Sequence, residues 1–195
     1  MVRDPLAVFH AALQVCGPET SDFDLNPDVN LAPDRVLRPA AVLVAYHMVA
    51  GQAHLVLTKR SSALKHHPGQ IAFPGGKRED TDVDISRTAL REAHEEIGLE
   101  PSAVEILGQL PTHETVTGFA VTPVLGRIIS DFDPTAEQGE VAEVFSVPLK
   151  HVTDLQNFSI QSRRWRRQRR YYYAVPYGPY YIWGATARIL RRIID

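Results

Sequence analysis

The residues best suited to chemistry are three glutamates that lie close together near the middle of the chain. Glu92 and Glu96 are four residues apart, and Glu95 is three residues from Glu92. In a helix over residues 84–97 the three carboxylates share one side, close to the C-terminal end where the helix dipole is already negative. Because like charges at this spacing repel each other, the cluster predicts a bound cation. Carboxylate oxygens suit hard divalent ions, which indicates Mg²⁺ or Mn²⁺.

The surrounding sequence predicts the helix and a turn before it. Asp82 and Asp84 can cap the start of the helix, and Gly98 suits the left-handed position after its last turn. Apolar residues recur at helical spacing, namely Ala89, Leu90, Ala93 and Ile97. Upstream, an apolar run ends in Pro74-Gly75-Gly76, whose bare backbone can approach a ligand closely. Taken alone, the glutamates are more typical of a solvated helix face.

The stretch from Gly76 to Leu99 resembles the Nudix box, whose pattern is Gly, five residues, Glu, seven residues, then Arg-Glu-apolar-x-Glu-Glu-x-Gly-apolar. The second half matches at every specified position if Ala93 is the apolar residue. The first half has Asp82 in place of Glu, and eight residues instead of seven separate it from Arg91. This variant loop is similar to that of the coenzyme A branch of the superfamily. Arg91 is expected to brace the cluster through ion pairs with neighbouring carboxylates.

The resemblance implies roles for the acidic residues. Glu92 and Glu96 are the strongest metal ligands, Glu95 is a third ligand or the general base, and the carbonyl of Gly76 is a backbone ligand. Glu140 begins a Glu-Val segment similar to one in the same group, and it is the expected acid from outside the helix. Diphosphate hydrolysis needs charge neutralisation, an oriented water and a base, and these residues would supply all three.

A second motif, upstream of the first, resembles the signature of coenzyme A diphosphatases. Val56-Leu57-Thr58-Lys59-Arg60-Ser61 is followed at the family's spacing by Lys65, Gly69 and Phe73-Pro74-Gly75-Gly76. Two residues depart from the signature, Val56 for Leu and Lys65 for Arg, and lysine lacks the planar fork that binds phosphate in two places. The motif implies a substrate-binding loop made of Thr58, Arg60, Ser61, Lys65, Gly69 and Gln70. Lys59, His66 and His67 are interpreted as ordinary surface-loop residues.

The implied reaction is metal-dependent hydrolysis of the diphosphate of coenzyme A, or of its acyl or oxidised forms, to 3',5'-ADP and 4'-phosphopantetheine. Two alternatives stay open. One is a Nudix hydrolase that cleaves another nucleoside diphosphate derivative, such as ADP-ribose or a dinucleotide. The other is a non-catalytic module that binds nucleotide or RNA. The three glutamates argue against a purely binding role, because an idle site has no need for carboxylates that repel each other.

A basic and aromatic stretch, residues 163–173, has three interpretations. It reads Arg-Arg-Trp-Arg-Arg-Gln-Arg-Arg-Tyr-Tyr-Tyr. It can be an exposed hairpin whose arginines pair with the protein's own carboxylates, a contributor to binding the substrate's 3'-phosphate or adenine, or a site for single-stranded RNA. The net charge of −2 argues against a general nucleic-acid coat.

Length and composition indicate a compact enzyme. With 195 residues, of which 44% are hydrophobic, the chain can bury one good core. Cys16 is the only cysteine, which excludes an internal disulfide, suits a reducing compartment and indicates a packing role. No targeting or membrane segment stands out, so a cytoplasmic location is expected. The oligomeric state is left open, with a homodimer as one option.

The order of elements predicts a mixed α/β protein. A helix over residues 6–13 and an extended arm form an N-terminal part, residues 1–34, before the main domain, residues 35–195. Strands are expected over residues 40–45, 54–58, 104–110, 119–129 and 141–147, with an edge or bulge at Pro123. A late hairpin is predicted over residues 171–181 and a closing helix over 186–194. The resemblance extends over roughly residues 38–190 and implies the Nudix fold, a mixed β-sheet sandwiched between α-helices.

Overall fold

The computed structural model describes residues 4–15, 17–32, 34–165 and 168–194, and a large mixed β-sheet lies at its centre. Its helices are α1 (Pro5–Gln14), α2 (Ile85–Ile97), α3 (Leu149–Val152) and α4 (Ala185–Arg192). Its strands, in chain order, are β1 (Thr20–Ser21), β2 (Arg38–Val49), β3 (Gln52–Arg60), β4 (Ile71–Ala72), β5 (Gly75–Lys77), β6 (Val104–Gln109), β7 (His113–Glu114), β8 (Phe119–Ile128), β9 (Val141–Pro148), β10 (Ser159–Trp165) and β11 (Gln168–Ala174).

The large sheet is organised around β2, which runs parallel to β8 on one side and antiparallel to β3 and β5 on the other. The strand order is β1-β7-β8-β2-β3-β4, with β6 added to β8 and β9 added to β3. A separate hairpin is formed by β10 and β11, whose arginines face each other across the strands: Arg163 opposite Arg170, and Arg164 opposite Arg169.

Two hydrophobic layers cover the two faces of the sheet. Along β2, Leu43 and Ala45 belong to the layer that contains the apolar face of α2, while Val44 and Tyr46 belong to the opposite layer. That second layer contains buried residues of α1 and α4, among them Phe9, Ala12, Ile189 and Leu190. The alternation follows from the two-residue period of a strand. A mixed sheet between helices is therefore confirmed.

Helix α2 begins and ends where its local sequence predicts. The carboxylate of Asp84 accepts a hydrogen bond from the backbone N–H of Arg87 at 2.9 Å, and Gly98 adopts the left-handed conformation with φ 69°. The role expected of Asp82 as a second cap is wrong, because its carboxylate instead accepts hydrogen bonds from Arg91, Thr88 and the N–H of Glu79.

The prediction that Pro123 marks a sheet edge is wrong, because β8 is paired on both sides. The carbonyl of Pro123 accepts from the N–H of Leu110 at 2.9 Å. On that side β6 ends at Gln109 and β7 begins at His113. The nitrogen of Pro123, which carries no hydrogen, therefore faces the gap between these two strands. A proline can therefore occupy a central strand, and the bulge lies on β6, between Ile106 and Gly108.

The late hairpin predicted over residues 171–181 is present as an irregular reversal and not as a regular ladder. The regular hairpin is β10–β11, which confirms that the arginine-rich stretch forms a hairpin, although Arg166 and Arg167 lie outside the described residues. Pairing of its arginines with carboxylates stays a prediction. Residues 174–183 also reverse direction, but only as the isolated bridges Ala174–Trp183 and Tyr177–Tyr180. Prolines at 176 and 179 cannot donate to a ladder, which limits regular pairing there.

The N-terminal segment packs onto the rest of the protein. Helix α1 starts at Pro5, and the side chain of Phe9 is completely buried. The side-chain amide of Asn26 both accepts from the N–H of Tyr171 and donates to its carbonyl, at 2.8 and 2.9 Å. Cys16 and its predicted packing lie outside the described residues. Within the described part of the chain, no helix has the length and apolarity needed to cross a membrane.

Candidate active site

Two glutamates of α2 lie against the turn that leads into β5. The carboxylate of Glu96 is buried and accepts a hydrogen bond from the N–H of Gly75 at 3.0 Å. A Cβ added to Gly76 would lie 2.5 Å from the carboxylate of Glu92, so only a glycine leaves room for this approach. The structure thus brings Glu92, Glu96 and the backbone of Gly76 together, three residues that the sequence predicted as metal ligands.

Burial raises the pKa of Glu96 to about 7. The negative charges of Glu92 and Glu140 contribute to this rise, while the hydrogen bond from Gly75 and the positive charge of Arg60 oppose it. Burial also raises the pKa of Glu92, with Arg91 opposing the rise and Glu95 and Glu140 adding to it. Each carboxylate therefore sits where a nearby cation would stabilise its charged form.

Glu140 reaches this cluster from another part of the chain. It lies just before β9, and its carbonyl accepts from the N–H of Ser61 at 2.8 Å, which ties it to the end of β3. Its side chain is exposed, and its charge acts on the pKa values of both Glu92 and Glu96. The neighbouring acid, Glu143, does not simply face solvent, because it accepts a hydrogen bond from the hydroxyl of Tyr180 at 2.5 Å.

Arg91 links the glutamates to the loop before the helix. Its Nη1 donates to Glu92 and to Glu95, each at 3.0 Å. The other guanidinium nitrogens bind both carboxylate oxygens of Asp82 at 3.1 Å, and Nη2 also donates to the carbonyl of Lys77 at 2.9 Å. The expected bracing role of Arg91 has this geometric basis. Glu95 is exposed and is held in place by Arg91.

We expect Asp82→Asn to destabilise the protein by about 2–3 kcal/mol, because a buried charge-assisted network loses its anion. Arg91 is the main reason that the pKa of Asp82 is lowered to about 2. A depressed carboxyl pKa stabilises the fold above the unfolded pKa, and this contribution is lost as the pH falls from about 4 towards 2. Wild type should therefore lose more stability than the variant over that window.

Denaturant unfolding at pH 7 and at successively lower pH measures both effects. Asp80→Asn is the matched control, since Asp80 is exposed on the same loop. Equal stability of wild type and Asp82→Asn at pH 7 would contradict the bracing network.

The atoms that could bind a metal at the cluster are all oxygens, which are the ligands that hard divalent ions prefer. Within the described ranges, however, no three His, Cys, Asp or Glu side chains are grouped so that they could hold a metal by themselves. Glu92 and Glu95 each give one oxygen to Arg91. The carbonyl of Gly76, water and substrate phosphate can complete such a site, which is the usual way in which Mg²⁺ is held.

The residues expected to bind substrate are placed in three different settings. The hydroxyl of Thr58 is buried and donates to the carbonyl of Ala72 at 3.2 Å, while the hydroxyl of Ser61 accepts from the N–H of Ala63 at 3.3 Å. Arg60 is half-buried beside the glutamates, and Lys65 is exposed. The remaining two line a cavity, namely Gly69, whose φ is 70°, and Gln70.

This cavity has a volume of about 700 Å³ and is bordered by basic and aromatic side chains. They include Lys59, His67, Arg163, Tyr180, Tyr181 and Trp183. The sequence interpretation treated Lys59 and His67 as ordinary loop residues and did not single out the aromatic run at 180–183. Lys59 and His67 lie close to the upstream signature, and this position was the sequence feature that could have identified them as site residues. Nothing in the local sequence shows that residues 180–183 fold back onto the same loop.

Comparison with known proteins identifies the family of the chain. The NUDIX domain family matches residues 37–168. A relative from Enterobacter sp. (strain 638), named "Uncharacterized Nudix hydrolase NudL", is 43% identical over 189 residues, which cover 87% of this chain and 94% of the relative. A protein of the same name from Cronobacter sakazakii is 38% identical over 195 residues, covering 99% and 96% of the two chains.

Solved structures share the fold. A protein from Deinococcus radiodurans superposes with a TM-score of 0.52 at 17% identity, covering 85% of this chain and 91% of its own. The Nudix hydrolase RenU from M. smegmatis has a TM-score of 0.51 at 24% identity, covering 60% and 74%. Nudix hydrolases generally use divalent metals. With its carboxylate helix and glycine turn in place, this chain belongs to the Nudix hydrolases, which act on phosphoric anhydrides of nucleoside diphosphate derivatives.

Proposed function

We propose that this chain is a divalent-metal-dependent coenzyme A diphosphatase that releases 3',5'-ADP and 4'-phosphopantetheine. The observation that carries the proposal is the course of the upstream signature, residues 56–76. It runs from the buried middle of β3, past Arg60, to Gly75 and Gly76 at the start of β5. Arg60 lies within electrostatic reach of Glu96, and Gly75 donates to the same carboxylate. The signature and the acidic helix thus form one continuous site.

In this proposal Glu92, Glu96 and the Gly76 carbonyl hold Mg²⁺ or Mn²⁺. When bound, the ion would neutralise charge on the diphosphate and lower the pKa of an attacking water. Glu95 and Glu140 are exposed carboxylates at the edge of the cluster. They are the candidates to accept the proton of that water, and Arg91 keeps Glu95 in position.

The remaining signature residues are proposed either to bind the substrate or to hold the loop in shape. Arg60 and Lys65 are proposed to contact phosphate oxygens, and the backbone at Gly69 and Gln70 to approach the substrate closely. Thr58 and Ser61 are proposed to hold the loop in shape, because their hydroxyls already bind backbone groups. Three predictions from the sequence stay predictions. They are the division into an N-terminal part, residues 1–34, and a main domain, residues 35–195, the cytoplasmic location and the homodimer.

Product analysis tests the proposal. The purified protein is incubated with coenzyme A, ADP-ribose and a dinucleotide, each with Mg²⁺, with Mn²⁺ and with a chelator. We expect metal-dependent formation of 3',5'-ADP and phosphopantetheine. Preferential cleavage of ADP-ribose or of the dinucleotide would keep the Nudix chemistry and overturn the substrate, while cleavage of none would favour a binding module.

A further inference from the structure

The cavity beside the upstream loop lies within a short distance of the carboxylate cluster. Three segments that border the cavity also lead to the cluster: Lys59 is followed by Arg60, Ile71 is four residues before Gly75, and Glu143 is three residues after Glu140. At about 3.3 Å per residue these separations span at most roughly 3–13 Å. A substrate whose diphosphate lies at the glutamates can therefore extend one of its ends into the cavity.

One wall of the cavity is aromatic. The guanidinium of Arg163 lies 4.5 Å from the ring centre of Trp183, and Tyr172 packs against the same ring from 4.9 Å. Tyr180 stacks on Phe145 with the ring centres 3.6 Å apart and the planes 8° from parallel. These rings are half-buried, while Tyr181 on the same wall is exposed. Aromatic and guanidinium groups of this kind are suited to stacking against a nucleobase.

The same cavity is electropositive at one side. After burial, the positive charges of Arg60 and Arg163 contribute to lowering the pKa of His67, so these basic groups influence one another. The hairpin also places Arg163 directly opposite Arg170, so both guanidinium groups lie on one face of the hairpin. The acid on the lining, Glu143, accepts a hydrogen bond from Tyr180, and the positive charge of the lining lies at Lys59 and Arg163.

On the basis of the proposed function, we propose that this cavity binds the 3'-phosphoadenosine end of coenzyme A, with the adenine against Trp183 and the 3'-phosphate at Arg163. A volume of about 700 Å³ lies within the range of small-molecule sites. The pantetheine arm is uncharged and not aromatic, so it matches neither the charge nor the rings of this wall. The cavity thereby selects nucleotides that carry a second phosphate on the ribose.

Kinetics with two substrates test the phosphate contact. Dephospho-coenzyme A lacks only the 3'-phosphate, so Arg163→Gln should lower kcat/KM for coenzyme A about tenfold or more and leave that for dephospho-coenzyme A nearly unchanged. Arg164→Gln is the matched control, because Arg164 lies on the opposite face of the same strand. Equal losses for both substrates in Arg163→Gln, or no loss, would overturn the inference and leave the proposed function standing.

A binding measurement separates this inference from catalysis. The chain has two tryptophans, so Trp165→Phe leaves Trp183 as the single fluorophore. With chelator present, 3',5'-ADP should quench Trp183 and bind at least about tenfold more tightly than 5'-AMP, and Arg163→Gln should remove that preference. This result would support the cavity assignment even if coenzyme A were not cleaved. Equal affinity for the two nucleotides, or no quenching, would overturn it.

Discussion

Glu96→Gln should abolish diphosphate hydrolysis and leave the fold intact. Glutamine has nearly the same shape and can still accept the hydrogen bond from Gly75, but it removes one negative charge from the proposed metal site. Loss of a ligand that stabilises the transition state through a metal is worth several kcal/mol, so kcat should fall about 10²–10⁴-fold. Initial rates with Mg²⁺ and with Mn²⁺ measure this loss.

Stability measurements show whether the loss is chemical or structural. Burial raises the pKa of Glu96 to about 7, so near neutral pH the metal-free protein gains nothing from a charged carboxylate there. The Tm of metal-free Glu96→Gln should equal or exceed that of wild type, and added Mn²⁺ should raise the Tm of wild type only. Glu100→Gln, just beyond the same helix, is the exposed control. An active Glu96→Gln enzyme would contradict the metal assignment.

The parts of the fold that sequence predicts best are those set by near neighbours. Helix α2 is an example, since Asp84, Gly98 and the apolar spacing between them act within a few turns. The approach of Gly76 to Glu92 follows from the family motif, because the bare backbone of a glycine turn suits close contact with a ligand or metal. Local propensity and motif spacing therefore describe the acidic half of the site.

The other half depends on contacts between distant parts of the chain. Residues that line the cavity come from positions 59, 67–71, 143, 163, 179–181 and 183, and no local pattern shows that they meet. Pro123 was expected at an edge or bulge because proline lacks an N–H. In the structure it lies in a central strand, at a point between β6 and β7 where no N–H donor is needed. Asp82 was expected to cap a helix, but Arg91, nine residues later, reaches back to it.

Gly76→Ala should remove most activity and cost little stability. Its new Cβ would lie 2.5 Å from the Cδ, Oε1 and Oε2 atoms of Glu92, which is too close for any real contact. Because these atoms end a flexible side chain, the carboxylate can move away, and the fold is preserved. A displacement of about 1 Å at a catalytic group can cost roughly 10²-fold in rate. The rate should therefore fall by about that factor, together with Mn²⁺ affinity measured by calorimetry.

Gly75→Ala provides the opposite case one residue earlier. Its Cβ would lie 2.3 Å from the backbone oxygen of Ala41 and 2.7 Å from the Cα of Val42, atoms that belong to a central strand and cannot swing aside. Overpacking of this kind costs about 1–3 kcal/mol, which lowers the Tm of a chain of this size by roughly 2–12 °C. Gly75→Ala should thus mainly lose stability, whereas Gly76→Ala should mainly lose activity. If Gly76→Ala retained wild-type rates, the carboxylate of Glu92 would not act at the position where the turn holds it.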